Sequence, residues 1–283
     1  MFDFKLENAS GSIVNINDGV RYMVIPPVSG LNPPSASIYT AKSPNRKGVK
    51  YNGSTLNERN IVLTIKLLGD IEQNRNDLYA WVDTEQYVKV HYRNGVKNVY
   101  CEGHIQDCEI DPFTDNEVVS VAIICENPYW KDLAEIAADI STLLKQFTFP
   151  FAIAKEGIPF STIRQSNSTN VFNVGAETGV KITIRCNGTV ENLAIYNTNE
   201  PSKRFEIKTA LLANWTVVID TEASPKTVKA YKPDGTVENL LKYTSNPTWF
   251  TLKKGNNLFS YSATYGTTDA EISIGYTNKY LGV

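Results

Sequence analysis

GVKYNGSTLNERNIVLTIKLLGDIEQNRNDLYAWVDTEQYV, residues 48–88, contains the grammar of the whole chain. A polar, Gly-containing loop passes through Asn57, Glu58 and Arg59 into a run where Ile61, Leu63, Ile65 and Leu67 fall at every second position. Successive side chains of a strand point to opposite faces, so this period predicts a strand with one buried face. Gly69 ends the run. Asp70, with Gln73 three residues on, predicts a helix cap, and Ile71, Leu78, Trp81 and Val82 would share one side of the short helix that follows. The chain then returns to strand. The stretch holds no nucleophile, base or phosphate loop and reads as a structural module.

The same pattern extends outward. Val88, Val90 and Tyr92 alternate with Lys89, His91 and Arg93, and Asn94-Gly95 follows. That dipeptide predicts a type I′ hairpin turn, whose two central residues must both tolerate positive φ. The return strand runs through Val99, Cys101 and Ile105, and Asp111-Pro112 opens another turn. EVVSVAIICE (117–126) is apolar on both faces and predicts a central strand. Beyond it come VKITIRC (180–186), FEIKTAL (205–211), WTVVID (215–220), TVKAYK (227–232), WFTL (249–252), LFSYSATY (258–265) and AEISIGY (270–276), punctuated by Gly, Asn, Asp and Pro. Short, closely spaced strands of this kind predict a mainly β protein of sandwich or jelly-roll type rather than a βαβ fold.

Two segments depart from the alternation. Leu133, Ile136, Ala137, Ile140, Leu144 and Phe147 recur at helical spacing and predict a second helix. The domain boundary is placed just after it, near residue 148, giving domains 1–147 and 148–283. From Pro26 to Asn57 five prolines exclude a central strand for most of the segment. Long loops inside compact domains are often functional. This one is either a surface excursion or an arm that lies on a neighbouring subunit.

Composition narrows the classes. With 283 residues, one large or two ordinary domains are expected. A hydrophobic share of 42%, a charged share of 20% and a net charge of −2 fit a soluble globular protein with no global attraction to nucleic acid or anionic membranes. The start of the chain has no secretory pattern, and no apolar run approaches the ~20 residues of a membrane helix. Charge is locally uneven. Ten acids fall within 101–150, opposed there by Lys131 and Lys145, whereas Arg21, Lys42, Arg46, Lys47 and Lys50 make the first fifty residues basic. Cys101, Cys108, Cys125 and Cys186 are scattered and read as reduced thiols rather than a disulfide framework.

Candidate chemistry is sparse. Cys101, His104 and Cys108 suggest zinc, but positions 101 and 104 of a strand face opposite ways and a fourth ligand is missing. DCEIDPFTDNE (107–117) lacks the mid-loop Gly of a calcium loop, so Asp107, Glu109 and Asp111 read as one exposed strand face. There is no nucleophile elbow, marked carboxylate pair, Walker loop or dinucleotide fingerprint. No metal, cofactor or catalytic residue is assigned. Trp215 and Trp249 could stack on sugar rings, against a default role in the core.

Several of these segments, in this order, carry a likeness. They are the Gly30-Leu31 loop with its prolines, Tyr51 with the polar loop to Arg59-Asn60-Ile61, the strand–Gly69–helix unit, and VVSVAIICENPYW ending in Asn127-Pro128-Tyr129-Trp130. Phe149-Pro150-Phe151, Asn173-Val174-Gly175, Lys253 to Asn257 and Tyr280-Leu281-Gly282-Val283 extend it through the second half. The chain resembles the distal tail protein family of long-tailed bacteriophages, also found in prophages and phage-tail-like bacteriocins. The resemblance implies a structural protein and no enzyme. It implies an N-terminal β-sandwich with a short helix that builds a homo-hexameric ring, and an outward-facing, galectin-like or carbohydrate-module-like C-terminal β-sandwich. The ring would join the tail tube protein to the tip protein and, in some phages, to receptor-binding proteins. The protein would be made in the bacterial cytoplasm and end in the virion tail. DNA would cross the ring without specific binding and without a membrane contact. Glu102, Asp107, Glu109 and Asp111 are the candidate acids of such a channel, because an acidic wall repels phosphate. The alternative is a carbohydrate-binding protein that recognises host cell-surface sugars.

Overall fold

A computed structural model describes residues 2–42, 44, 47–110, 117–140, 142–145, 161–164, 169–198, 200–245 and 247–283. They form two compact units. One holds the chain up to Leu133 together with Lys279–Val283, and the other is Ala134–Asn278. The boundary expected near residue 148 lies outside the described residues.

The first unit is built from β1 (Asp3–Asn8), β2 (Ile13–Asn15), β3 (Tyr22–Ile25), β4 (Ala36–Ala41), β5 (Lys50–Leu56), β6 (Arg59–Leu67), α1 (Ile71–Tyr79), β7 (Tyr87–Arg93), β8 (Asn98–Ile110), β9 (Val118–Cys125) and β10 (Trp130–Asp132). One sheet runs β2-β1-β7-β8-β9-β6-β3, with β10 added against β8. The period-two reading of β6 holds: Ile61, Leu63 and Ile65 are fully buried. β9 is central, between β8 and β6, but only one face is fully buried, with Val119, Val121, Ile123 and Cys125. α1 begins as the sequence predicts, the Asp70 carboxylate accepting from the Gln73 N–H. Leu78 and Val82 are buried, and Ile71 and Trp81 pack against the same core. The buried Asn74 ties α1 down by donating to the Leu68 carbonyl at 2.6 Å.

The β7–β8 hairpin forms, but not through a type I′ turn. Neither Asn94 nor Gly95 has positive φ. Instead the Asn94 side-chain oxygen accepts from the N–H groups of Val96 and Lys97 at 2.8 and 2.7 Å, closing a longer loop. The β3 edge is also finished by side chains. Asp18 accepts from the Tyr22 N–H and Asn17 from the Val24 N–H, which occupies donors that another strand would need.

The second unit comprises β11 (Ile136–Asp139), β12 (Thr142–Lys145), β13 (Ser161–Arg164), β14 (Thr169–Asn173), β15 (Thr178–Gly179), β16 (Lys181–Cys186), β17 (Val190–Asn197), β18 (Glu200–Leu211), β19 (Thr216–Asp220), β20 (Thr227–Tyr231), β21 (Val237–Asn239), β22 (Thr251–Leu252), β23 (Gly255–Ser262) and β24 (Ala270–Tyr276). A sheet in the order β11-β24-β16-β19-β20-β21 supplies Ile182, Ile184, Val217, Ile219, Ile272 and Ile274 to a core shared with a β14-β23-β17-β18 sheet. The latter contributes Leu193, Ile195, Phe205, Ile207 and Phe259, which makes a sandwich.

The helix predicted through Leu133, Ile136, Ala137, Ile140, Leu144 and Phe147 is not formed. Ile136 and Ala137 lie in β11, paired with Tyr276 and Gly275 of β24, and Leu144 lies in β12. Phe147 is outside the described residues. The positions i and i+4 coincide in both periodicities, so Ile136 and Ile140 fit either element. Pairing along β24 decides it: the Ile140 N–H continues the ladder to the Ile272 carbonyl at 2.8 Å, and the Ile140 side chain is fully buried.

After β24 the chain returns to the first unit as β25 (Lys279–Tyr280), which pairs antiparallel with β10.

Candidate functional site

The motifs that carry the family likeness in the first unit converge on one cation. Arg59 begins β6 on the same parity as Ile61, so its side chain points inward and is 2% exposed. Its Nε donates to the Pro128 carbonyl at 2.8 Å, Nη1 to the carbonyls of Gly30 and Asn32, and Nη2 to that of Leu281 at 2.6 Å. The guanidinium lies 5.6 Å from the Trp130 ring centroid. Burial pushes its pKa below the ordinary value, and an arginine still keeps its charge. Gly30 is needed for a separate reason. Its φ is +85°, and a Cβ there would lie 2.5 Å from the Asn60 carbonyl oxygen. The segments around Gly30, Asn127–Trp130 and Tyr280–Val283 are therefore held by four hydrogen bonds from one side chain. In the second unit the buried Asn173 and Asn257 act likewise. Asn173 donates to the Ala176 and Leu252 carbonyls, and Asn257 to those of Val171, Lys253 and Gly255.

Three of the four candidate acids lie on β8. Glu102, Asp107 and Glu109 share its outer face with His104, because a register shift between Ile105 and Asp107 restores the alternation. Asp111 lies outside the described residues. Glu102 is half-buried and compensated, bound to Lys131 Nζ at 2.9 Å and to the Tyr87 hydroxyl at 3.1 Å. Burial raises its pKa, but the Lys131 ammonium and Tyr87 outweigh this and hold it below the ordinary carboxylate value. Asp107 and Glu109 are exposed, with no ion pair among the described residues.

The proline-rich segment contains a ribbon that alternation had not revealed. Among the described residues β4 and β5 pair only with each other, and almost every residue of both is exposed. Ile38, Tyr39, Val49, Tyr51 and Leu56 present apolar surface to solvent, Ile38 and Tyr51 at 64% and 62% exposure. The base is fixed by Asn57, which bonds the Ser35 and Ser37 hydroxyls. An isolated two-stranded ribbon is marginal in water, and clustered exposed apolar side chains mark interaction surfaces.

Trp215 and Trp249 are not brought together. Trp215 leads into β19 of the six-stranded sheet and has Lys232 Nζ 4.7 Å from its ring centroid. Trp249 packs edge-on against Phe205 of β18, with Lys226 Nζ 5.6 Å away. Both are half-buried against the second core. The four cysteines are free, with Cys101, Cys125 and Cys186 buried. Among the described residues no group of His, Cys, Asp and Glu is placed to hold a metal ion. No helix among them is long and apolar enough to cross a membrane.

Residues 12–125 match the phage tail protein RIFT-related domain, and residues 175–280 match the C-terminal domain of the siphovirus-type tail component. No curated protein matches the sequence. Among solved structures, the SPP1 Dit (gp 19.1) protein, described as a paradigm of the hub adsorption apparatus in phages infecting Gram-positive hosts, aligns with a TM-score of 0.69 at 13% identity, covering 98% of this chain and 99% of that one. A chain of the phage P2 baseplate in its activated conformation with Ca aligns over 100% of both chains, with a TM-score of 0.52 at 11% identity. With its two domain families in this order and a shared fold along its length, the chain belongs to the distal tail protein family of long-tailed bacteriophages.

Proposed function

We propose that copies of this chain associate head to tail into a closed ring of six at the tip of the phage tail. In this reading the ring joins the tail tube protein to the tip or baseplate and to receptor-binding proteins, is made in the bacterial cytoplasm, and resides in the virion. Membership of a phage tail family supports the setting. The observation that carries the assembly is the β4–β5 ribbon, which presents apolar side chains and, among the described residues, pairs with no other strand of its own chain. A projecting element that seats on a different patch of the next copy makes a heterologous contact, and such contacts close into rings when the rotation permits. The capped β3 edge favours the ribbon over that edge as the joining element. The ring surrounds a channel for DNA, and Asp107 and Glu109 supply its repulsive charge, with Glu102 beside them already balanced by Lys131.

The test compares the full chain with a variant in which residues 36–56 are replaced by a short Gly-Ser link. Six-fold annuli are expected by electron microscopy of the concentrated full chain. The shortened variant should stay monomeric by light scattering, with its thermal unfolding within ~2 °C of the parent, because the ribbon buries little against its own core. Annuli formed equally well without the ribbon would refute its role. Labelling of intact particles that placed the chain away from the tail tip would refute the reading as a whole. A ring map with the outer face of β8 on the outer rim would remove the channel role of its acids.

A further inference from the structure

Three Asn-Gly pairs occur in the sequence, at Asn52, Asn94 and Asn187. Such a pair can react with itself. Glycine has no Cβ to shield its backbone nitrogen. That nitrogen can reach the asparagine Cγ when the side chain is free to turn and the backbone is not held in a regular ladder. The fold treats the three pairs differently.

Asn94 is tied at both ends of its carboxamide. Its Oδ1 accepts from the Val96 and Lys97 N–H groups at 2.8 and 2.7 Å, and its Nδ2 donates to the Tyr92 hydroxyl at 3.3 Å. Asn187 Nδ2 donates to the Glu271 carboxylate at 2.9 Å, and its backbone N–H donates to the Asp269 carbonyl at 2.8 Å. A Cβ at Gly188 would lie 2.7 Å from the Asp269 carboxyl carbon. A carboxylate so placed disfavours loss of the amide proton there.

Asn52 differs in each respect. It is an exposed residue of β5, and among the described residues its side chain has no hydrogen-bond partner. Tyr39 pairs with Gly53 and Thr40 with Tyr51, so Asn52 has no residue opposite it and bulges from the ladder. Gly53 has φ +136°, and no atom lies within 4 Å of where its Cβ would be. Charge acts in the same direction. From Ala36 to Leu56 the sequence has Lys42, Arg46, Lys47 and Lys50 and no acid, and nearby cations favour a deprotonated amide.

We propose that Asn52 is a modification site at which the chain deamidates. Hydroxide removes the Gly53 N–H proton, and that nitrogen bonds to Asn52 Cγ. The Cγ–Nδ2 bond breaks, and Nδ2 takes a proton from water and leaves as ammonia. Water then opens the five-membered imide at either carbonyl, giving aspartate or isoaspartate. Either product puts the first carboxylate on a basic ribbon, and isoaspartate also adds a methylene to its backbone. The reaction does not require the ring, and either can fail alone.

The test incubates the full chain at mildly alkaline pH, at a dilution where light scattering shows a monomer, and follows each pair by peptide mapping and mass spectrometry. The Asn52 peptide is expected to gain one mass unit, as OH replaces NH2, and to become a substrate for isoaspartyl methylation. Asn94 and Asn187 should lag by about tenfold or more, the cost of freeing their hydrogen-bonded side chains. In urea, where those bonds are lost, the gap should close. Asn52→Gln should abolish the gain in that peptide and leave the other two rates unchanged, since a six-membered imide closes far more slowly. No reaction at Asn52, equal rates at the three pairs in the folded chain, or a gap undiminished in urea would each overturn the proposal.

Discussion

Arg59 sits where a β6 side chain must point into the core, and the surrounding chain has arranged carbonyl groups to receive it. Replacing it by methionine keeps much of the volume and removes every donor to Gly30, Asn32, Pro128 and Leu281. Hydrogen bonds to a charged group are worth ~1.5–3 kcal/mol each, partly recovered when water enters. We expect Arg59→Met to destabilise the first unit by ~3–5 kcal/mol, read as a lower urea midpoint of its transition. Arg59→Lys should recover only part, because an ammonium cannot present the planar fork. An unchanged midpoint in Arg59→Met would show that the carbonyls are satisfied without it. This residue was partly legible in advance. The parity that placed Ile61, Leu63 and Ile65 inside also places Arg59 inside, yet a single arginine beside Glu58 reads as loop. Its acceptors come from segments far apart in sequence, and a period-two pattern carries no information about them.

At the scale of single elements, β1 and β7 are joined by more than their ladder. Glu7 on β1 meets His91 Nε2 at 2.7 Å and Lys89 Nζ at 3.3 Å on β7. The hydrogen bond from His91 is the main cause holding the Glu7 carboxyl below its ordinary pKa, with Lys89 adding to it against the effect of burial. A carboxyl with a depressed folded-state pKa stabilises the fold above its unfolded value of 4.5. That contribution disappears as pH falls through the lower folded value. Wild type and Glu7→Gln should therefore differ by up to ~1 kcal/mol near neutral pH and converge as pH falls through that lower folded value. A difference that stays constant across that range would exclude this pair as its source. Elements differ in how openly their sequence announces them. β6, β9 and α1 are declared by alternation and by Asp70. The ribbon is hidden because exposed strands need no apolar alternation, and its prolines suggest loop. The segment after Leu133 misleads because Ile136 and Ile140 satisfy both periods, and only the open side of β24 makes it strand.

For the molecule as a whole, the mainly β plan and the family were readable from the order of turns and motifs. The ribbon's pairing was not, because it is created by strand partners chosen in three dimensions. The return of the last residues to the first unit belongs to the same class. β25 lies antiparallel beside β10, with Trp130 opposite Tyr280 and Lys131 opposite Lys279. The second unit therefore leaves the first through two exits on neighbouring strands, about 5 Å apart across the ladder. Excising residues 134–278 and bridging the gap with a few Gly-Ser residues should leave the first unit folded, its Tm within a few degrees of that unit's transition in the full chain. An insoluble or unfolded product would show that the first unit depends on the second. If the excision succeeds, β10 and β25 act as a socket. Any cargo whose own ends meet could be plugged in there by recombination, and a pull on that cargo would be shared between two stitches rather than borne by one.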